Sequence, residues 1–186
     1  MNLFSILIGL GASLGLLRLL QVSPRETRLR WQAAGLITLT GSLVGARVGF
    51  LIAYHEYFAT HPQEMLRVDL GGLSLPGALA GALLFAWLGI KLLGFSTADG
   101  FDRLGRMLLP VAAAAWLGAW WAPVAYGRPL PTGTWWGLPM PDDAGLVTLR
   151  LPLQPLALLS LLLLLPLTET FTRKVKKKGV KAAAAF

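Results

Sequence analysis

The feature that most constrains this chain is a series of long apolar segments, each near the length of a membrane crossing. A helix that spans the hydrocarbon layer needs about 20 mostly apolar residues. Residues 2–20, 31–57, 75–95, 104–123 and 153–168 meet or approach that length, the last being short and leucine-rich. Only 14% of the 186 residues are charged, against about 25% in soluble domains, too few to clothe a water-facing surface. We therefore expect an all-α, polytopic membrane helical bundle of about five transmembrane helices. Residues 1–172 would form the transmembrane domain and residues 173–186 a basic cytoplasmic tail. The absence of cysteine excludes disulfide scaffolds, thiol enzymes and iron–sulfur centres.

The formal charge of +8 comes from 17 basic and 9 acidic residues. Six of the basic residues (Arg173, Lys174, Lys176, Lys177, Lys178 and Lys181) crowd into the tail. A nucleic-acid module would spread them over a folded face, whereas a cluster after an apolar run suits anionic lipid. The link between helices one and two holds Arg18, Arg25, Arg28 and Arg30, and the link between three and four holds Lys91, Arg103 and Arg106. The remaining links hold only Arg67 in one and Arg128 with Arg150 in the other. The positive-inside rule then places the N-terminus outside and the C-terminus in the cytoplasm. Basic residues follow the first apolar segment rather than precede it, so it reads as a retained helix and not a signal peptide. Two outer loops result, residues 58–74 and 127–151. Pro129, Pro131, Pro139 and Pro141 argue against a regular element in the second, and Trp135 and Trp136 suit the headgroup interface.

Glycines recur at spacing four: Gly11 and Gly15, then Gly41, Gly45 and Gly49, then Gly77 and Gly81. In lipid, small residues on one stripe let helix backbones approach closely, and we read these stripes as internal packing surfaces. Arg47 is the most informative single residue. It lies within an apolar segment, where an arginine costs roughly 2.5–3.5 kcal/mol, and its helical neighbours Leu43, Val44, Phe50 and Leu51 are not acidic. A buried guanidinium suits a phosphate bidentately, so we read Arg47 as a lipid-phosphate ligand rather than a snorkelling side chain. His55, Glu56, His61 and Glu64 match no metal-ligand spacing, and nothing enforces a triad of Ser74, His61 and Asp69. Trp116, Trp120 and Trp121 read as interface belt and core packing rather than as a wall for a quinone, carotenoid or acyl chain.

Taken together, these blocks resemble the prolipoprotein diacylglyceryl transferase family, which moves diacylglycerol from phosphatidylglycerol onto a lipoprotein cysteine. Gly45-Ala46-Arg47-Val48-Gly49-Phe50, Tyr54, His61-Pro62, Arg67-Val68-Asp69 and Gly71-Gly72-Leu73-Ser74 look like its Gly-Gly-Arg block and following loop. Asp102, Pro110, Leu117-Gly118 and Gly127-Arg128 follow the order of its signature segment, and Arg150-Leu151-Pro152-Leu153-Gln154 looks like its Arg-His-Pro-Ser-Gln stretch. The resemblance covers most of residues 3–157 and agrees with an outside N-terminus. It departs at the chemistry. The family histidine position is Pro76 and the family arginine position is Trp116, while Ala119, Ala122 and Val124 stand for two asparagines and a glutamate, and Leu156-Ala157 for a Tyr-Glu pair. The family also continues with further spans, one bearing another arginine, beyond the five expected here.

Transfer requires a base and fixed cations, and losing one electrostatic donor can cost about 10²–10³ in rate. The resemblance therefore implies no catalytic residue, no metal and no cofactor. It leaves Arg47, Tyr54, Arg67, Arg128, Arg150 and Gln154 to hold a lipid headgroup. The expected protein is a catalytically inactive transferase-like subunit of a larger complex in the bacterial cytoplasmic membrane. Its expected partners are anionic phospholipid and other membrane subunits, not nucleic acid. The alternatives are an active transferase with rearranged residues (His55 or His61 with Arg47 and Arg67) and a lipid-, quinone- or pigment-binding module.

Overall fold

A helix satisfies its backbone hydrogen bonds within the segment, as hydrocarbon demands, and the apolar segments are helical in the computed structural model. It describes residues 3–67, 71–122, 125–142 and 144–163. The chain order is α1 (Leu3–Val22), a 3-10 turn (Arg25–Thr27), α2 (Arg28–Ala53), α3 (His55–Thr60), a 3-10 turn (Pro62–Glu64), α4 (Leu75–Leu92) and α5 (Thr97–Trp121). Strands β1 (Leu138–Pro141) and β2 (Val147–Arg150) and helix α6 (Leu153–Leu163) follow. The protein is mainly helical, as expected. Three stretches are long and apolar enough to cross a membrane: Leu3–Val22, Arg25–Ala53 and Leu75–Leu92. α5 opens on charged turns with Asp99, Asp102, Arg103 and Arg106, and α6 is described only to Leu163. The basic tail from Arg173 lies outside the described residues.

Among the described residues two compact units emerge, one within residues 12–110 and one within residues 3–11 and 111–163. In the first, α2 and α4 meet through glycine. A Cβ on Gly45 would strike the Gly77 carbonyl oxygen, and one on Gly81 would strike that of Gly41. Such backbone proximity is what small residues permit in lipid. Ser42 Oγ donates across the same contact to the Ala78 carbonyl at 3.2 Å. The core is correspondingly slim: Leu19, Trp31, Ala34, Ala86, Ile90, Leu104 and Met107. Large apolar side chains remain outside, among them Leu14, Leu17, Ile52, Leu79, Leu83 and Leu92. An exterior of this kind is a liability in water and the natural surface in hydrocarbon.

At one end of this unit Trp31 and Phe95 stack at 3.7 Å and 7°. Arg30 lies over Phe95 at 5.0 Å and Arg103 over Trp31 at 5.3 Å, so two guanidiniums close the aromatic pair. Arg30 also donates to the Leu93 carbonyl and Arg103 to that of Val22. Both carbonyls lie at helix C-termini, where orphan oxygens and the helix dipole favour cations.

In the other unit the proline-rich stretch is more regular than expected. β1 and β2 pair antiparallel, Leu138 with Arg150 through Pro141 with Val147. Pro139 and Pro141 are two residues apart, so their missing N–H groups fall on one edge, while Leu138 and Met140 keep theirs for the ladder. The turn closes through Asp142, whose Oδ1 accepts from the N–H groups of Ala144 (3.0 Å) and Leu146 (2.9 Å). Gly145 supplies the positive φ of 79°.

Candidate functional site

Two buried arginines organise the residues that the sequence singles out, one in each unit. Arg47 projects from the second half of α2 and is 8% exposed. Its Nε donates to the Met65 carbonyl (2.8 Å), Nη2 to that of Glu64 (2.6 Å), and Nη1 to those of Gly71 (2.8 Å) and Gly72 (3.1 Å). The rings of Phe50 and Phe58 flank it at 5.7 and 5.5 Å. The local sequence explains the cradle. Pro62 starts a short 3-10 turn that ends at Glu64, and the carbonyls of Glu64, which also accepts from Arg67 N–H at 3.1 Å, and of Met65 just after it face the guanidinium. Gly71 and Gly72 adopt φ of 85° and 78°, and a Cβ on Gly72 would strike the Phe50 ring. Glycine is required there for the chain to bend around the guanidinium.

Beside Arg47 lies a cleft of about 230 Å³ lined by Arg47, Phe50, Tyr57, Phe58, Glu64, Gly71 and Gly72. The Tyr57 hydroxyl donates to Glu64 Oε2 at 2.8 Å. That bond, then partial desolvation and the Glu64 charge, raise the phenol above its ordinary pKa. His61 stacks on Tyr57 at 4.5 Å, with Nδ1 within 2.9 Å of Thr60 Oγ1, and His55 Nδ1 lies 3.3 Å from the Ile52 carbonyl. Both histidines thus serve local backbone and hydroxyl groups. Ser74 caps α4 by accepting from Gly77 N–H at 3.3 Å, which employs its hydroxyl structurally. Its own N–H donates to the Ala46 carbonyl at 2.9 Å and ties the loop end to the turn of α2 that carries Arg47. Pro76 occupies the first turn of α4, where a missing N–H is harmless. Tyr54 is exposed and packs on Phe50 at 4.5 Å, and Arg67 is exposed. Asp69 lies outside the described residues. Among the described residues no group of three His, Cys, Asp or Glu side chains could hold a metal.

In the other unit Arg150, 7% exposed, ends β2. Its Nη2 pairs with Asp142 Oδ2 at 3.0 Å, Nη1 donates to the Gly127 carbonyl at 3.3 Å, and the guanidinium lies 4.6 Å above the Tyr126 ring. Gln154 is 1% exposed in the first turn of α6. With Trp120, Trp121, Ala122, Tyr126, Met140, Pro141, Asp142 and Gly145 it lines a cavity of about 300 Å³. Arg128 is exposed, and Trp116 is half-buried in α5. The headgroup candidates therefore fall into two sets: Arg47, Tyr54 and Arg67, and Arg128, Arg150 and Gln154. The sequence reading passed over Asp142, Tyr126 and the Tyr57–Glu64 pair. An Asp followed by Gly three residues on is a turn signal that would have flagged Asp142; nothing local flags the others.

These blocks lie in the order of one known family, and its model, described as prolipoprotein diacylglyceryl transferase, matches residues 1–186. The chain belongs to the prolipoprotein diacylglyceryl transferase family. Curated proteins named phosphatidylglycerol–prolipoprotein diacylglyceryl transferase are similar to it. The one from Fervidobacterium nodosum is 30% identical over 108 residues, covering 56% of this chain and 36% of the relative. That from Aromatoleum aromaticum is 29% identical over 127 residues, 63% of this chain and 47% of the relative. That from Methylobacillus flagellatus is 36% identical over 76 residues, 40% of this chain and 29% of the relative. The chain spans less than half of the length of the curated relatives it matches.

Proposed function

We propose that this family member holds a phospholipid headgroup in the Arg47 cleft without performing transfer. In this reading it serves as a subunit of a larger assembly in the bacterial cytoplasmic membrane, crossing it about five times with its N-terminus outside. The observation that carries the reading is the company of Arg47. Carbonyl acceptors take four of its five N–H groups without cancelling its charge, leaving one on Nη2, and Glu64, whose carboxylate is an acceptor, lines the same cleft. A cation for phosphate beside a carboxylate for hydroxyls complements the headgroup of phosphatidylglycerol, the lipid in the relatives' names. Against transfer stand Pro76, whose side chain can move no proton, and Trp116, which carries no charge.

Incubating the full chain with phosphatidylglycerol vesicles and a lipobox peptide should give no lipidated peptide. The protein should retain phosphatidylglycerol over phosphatidylcholine through purification, and Arg47→Lys should weaken that preference. Lipidation abolished by Arg47→Ala would replace this reading with an active transferase. The Tyr57–Glu64 pair beside Arg47 would then be its first candidate for proton transfer. A chain that purifies from its native membrane in mild detergent without a stoichiometric partner would end the subunit reading.

A further inference from the structure

We infer that the cavity between the end of α5 and the β1–β2 hairpin is a binding site for an uncharged, ring-bearing amphiphile. This goes beyond the headgroup reading and does not rest on it, because none of the residues involved lines the Arg47 cleft. The wall is aromatic: Trp120, Trp121 and Tyr126, with the Met140 thioether. Indole and phenol faces and a polarisable sulfur favour a flat ring over a flexible chain. The volume, about 300 Å³, lies at the small end of ligand sites and suits one ring system rather than two acyl chains. Trp120 and Trp121 remain 44% and 58% exposed, so both indoles keep surface that an occupant can cover.

Charge decides the class of ligand. Asp142 is the carboxylate at the wall, and both of its oxygens are engaged: Oδ1 by two backbone N–H groups, Oδ2 by Arg150. Its counter-charge is thus supplied within the fold, and no unbalanced negative charge remains to hold a cation. An anion would instead meet an aspartate, with the guanidinium of Arg150 already paired and covered by Tyr126. An unpaired charge of either sign would be desolvated there without compensation. Gln154, 99% buried, brings an uncharged amide to the lining. An amide can donate to a ring carbonyl or accept from a ring hydroxyl.

The test uses the full chain in phosphatidylcholine nanodiscs with three probes: decylubiquinone (neutral, ringed), monooleoylglycerol (neutral, ringless) and dihexanoyl phosphatidylglycerol (anionic). Binding is read by native mass spectrometry and by the shift in the thermal midpoint. Decylubiquinone should bind saturably with 1:1 stoichiometry and about tenfold more tightly than monooleoylglycerol. Trp120→Leu and Trp121→Leu should each weaken it about three- to tenfold, and Gln154→Leu by a similar factor. Trp135→Leu, in the exposed loop, should leave it unchanged. Asp142→Asn, which keeps an oxygen for the turn but uncovers the Arg150 charge, should raise phosphatidylglycerol binding. Non-saturable uptake of decylubiquinone, insensitivity to both Trp120→Leu and Trp121→Leu, or displacement by phosphatidylglycerol in the unmutated chain would overturn the proposal.

Discussion

Arg47 and Arg150 are equally buried and both meet aromatic rings, yet they are stabilised by opposite means. Arg47 is held by four backbone carbonyls drawn from residues 64–72, so it organises a loop and keeps its charge. Arg150 bonds the Gly127 carbonyl too, but it pairs with a carboxylate eight residues away, so it staples a hairpin and its charge is cancelled at source. Burial alone therefore says little about what an intramembrane or interfacial arginine does. The acceptor type decides: carbonyls leave a field available to a ligand, and a carboxylate removes it.

Arg47→Ala would test this contrast with the largest effect. Four carbonyls lose a charged donor, and although some rehydrate, a loss of about 4 kcal/mol is expected. Hydrogen exchange across residues 61–74 should rise steeply; unchanged exchange would mean that the loop organises itself. Asp142→Ala should cost about 3 kcal/mol by leaving Arg150 buried and uncompensated, measurable as a lower thermal midpoint, with Asp142→Asn milder because the turn bonds survive. Lysine at each position sharpens the comparison further. One ammonium cannot reach carbonyls spread along a planar fork, so Arg47→Lys should cost about 2 kcal/mol, whereas Arg150→Lys retains its ion pair and should cost about 1 kcal/mol.

The smallest effect concerns Tyr57. Its raised pKa means that the fold favours the protonated phenol. That contribution is complete below the ordinary tyrosine value of about 10 and disappears as pH rises through the raised one. Glu64→Gln should lower the pH at which the Tyr57 phenolate absorbance appears, and no displacement would show that Glu64 does not hold the phenol.

Much of the framework was legible because it depends on local pattern. Apolar run length gave α1, α2, α4 and much of α5, and glycine spacing marked the faces on which α2 and α4 touch. Run length also placed the start of α4 at Leu75, where the structure adds the Ser74 cap. The hairpin was hidden because prolines, read locally, argue against a strand; only pairing reveals that they share one edge. The partners of Arg47 were hidden for a similar reason: backbone carbonyls 17–25 residues away carry no residue-type signature.

Family membership and helical character thus reside in one-dimensional order, since hydrocarbon imposes its length and polarity rules on each segment separately. Whether a guanidinium faces carbonyls or a carboxylate is a matter of which distant backbone folds over it, and only the tertiary structure decides that.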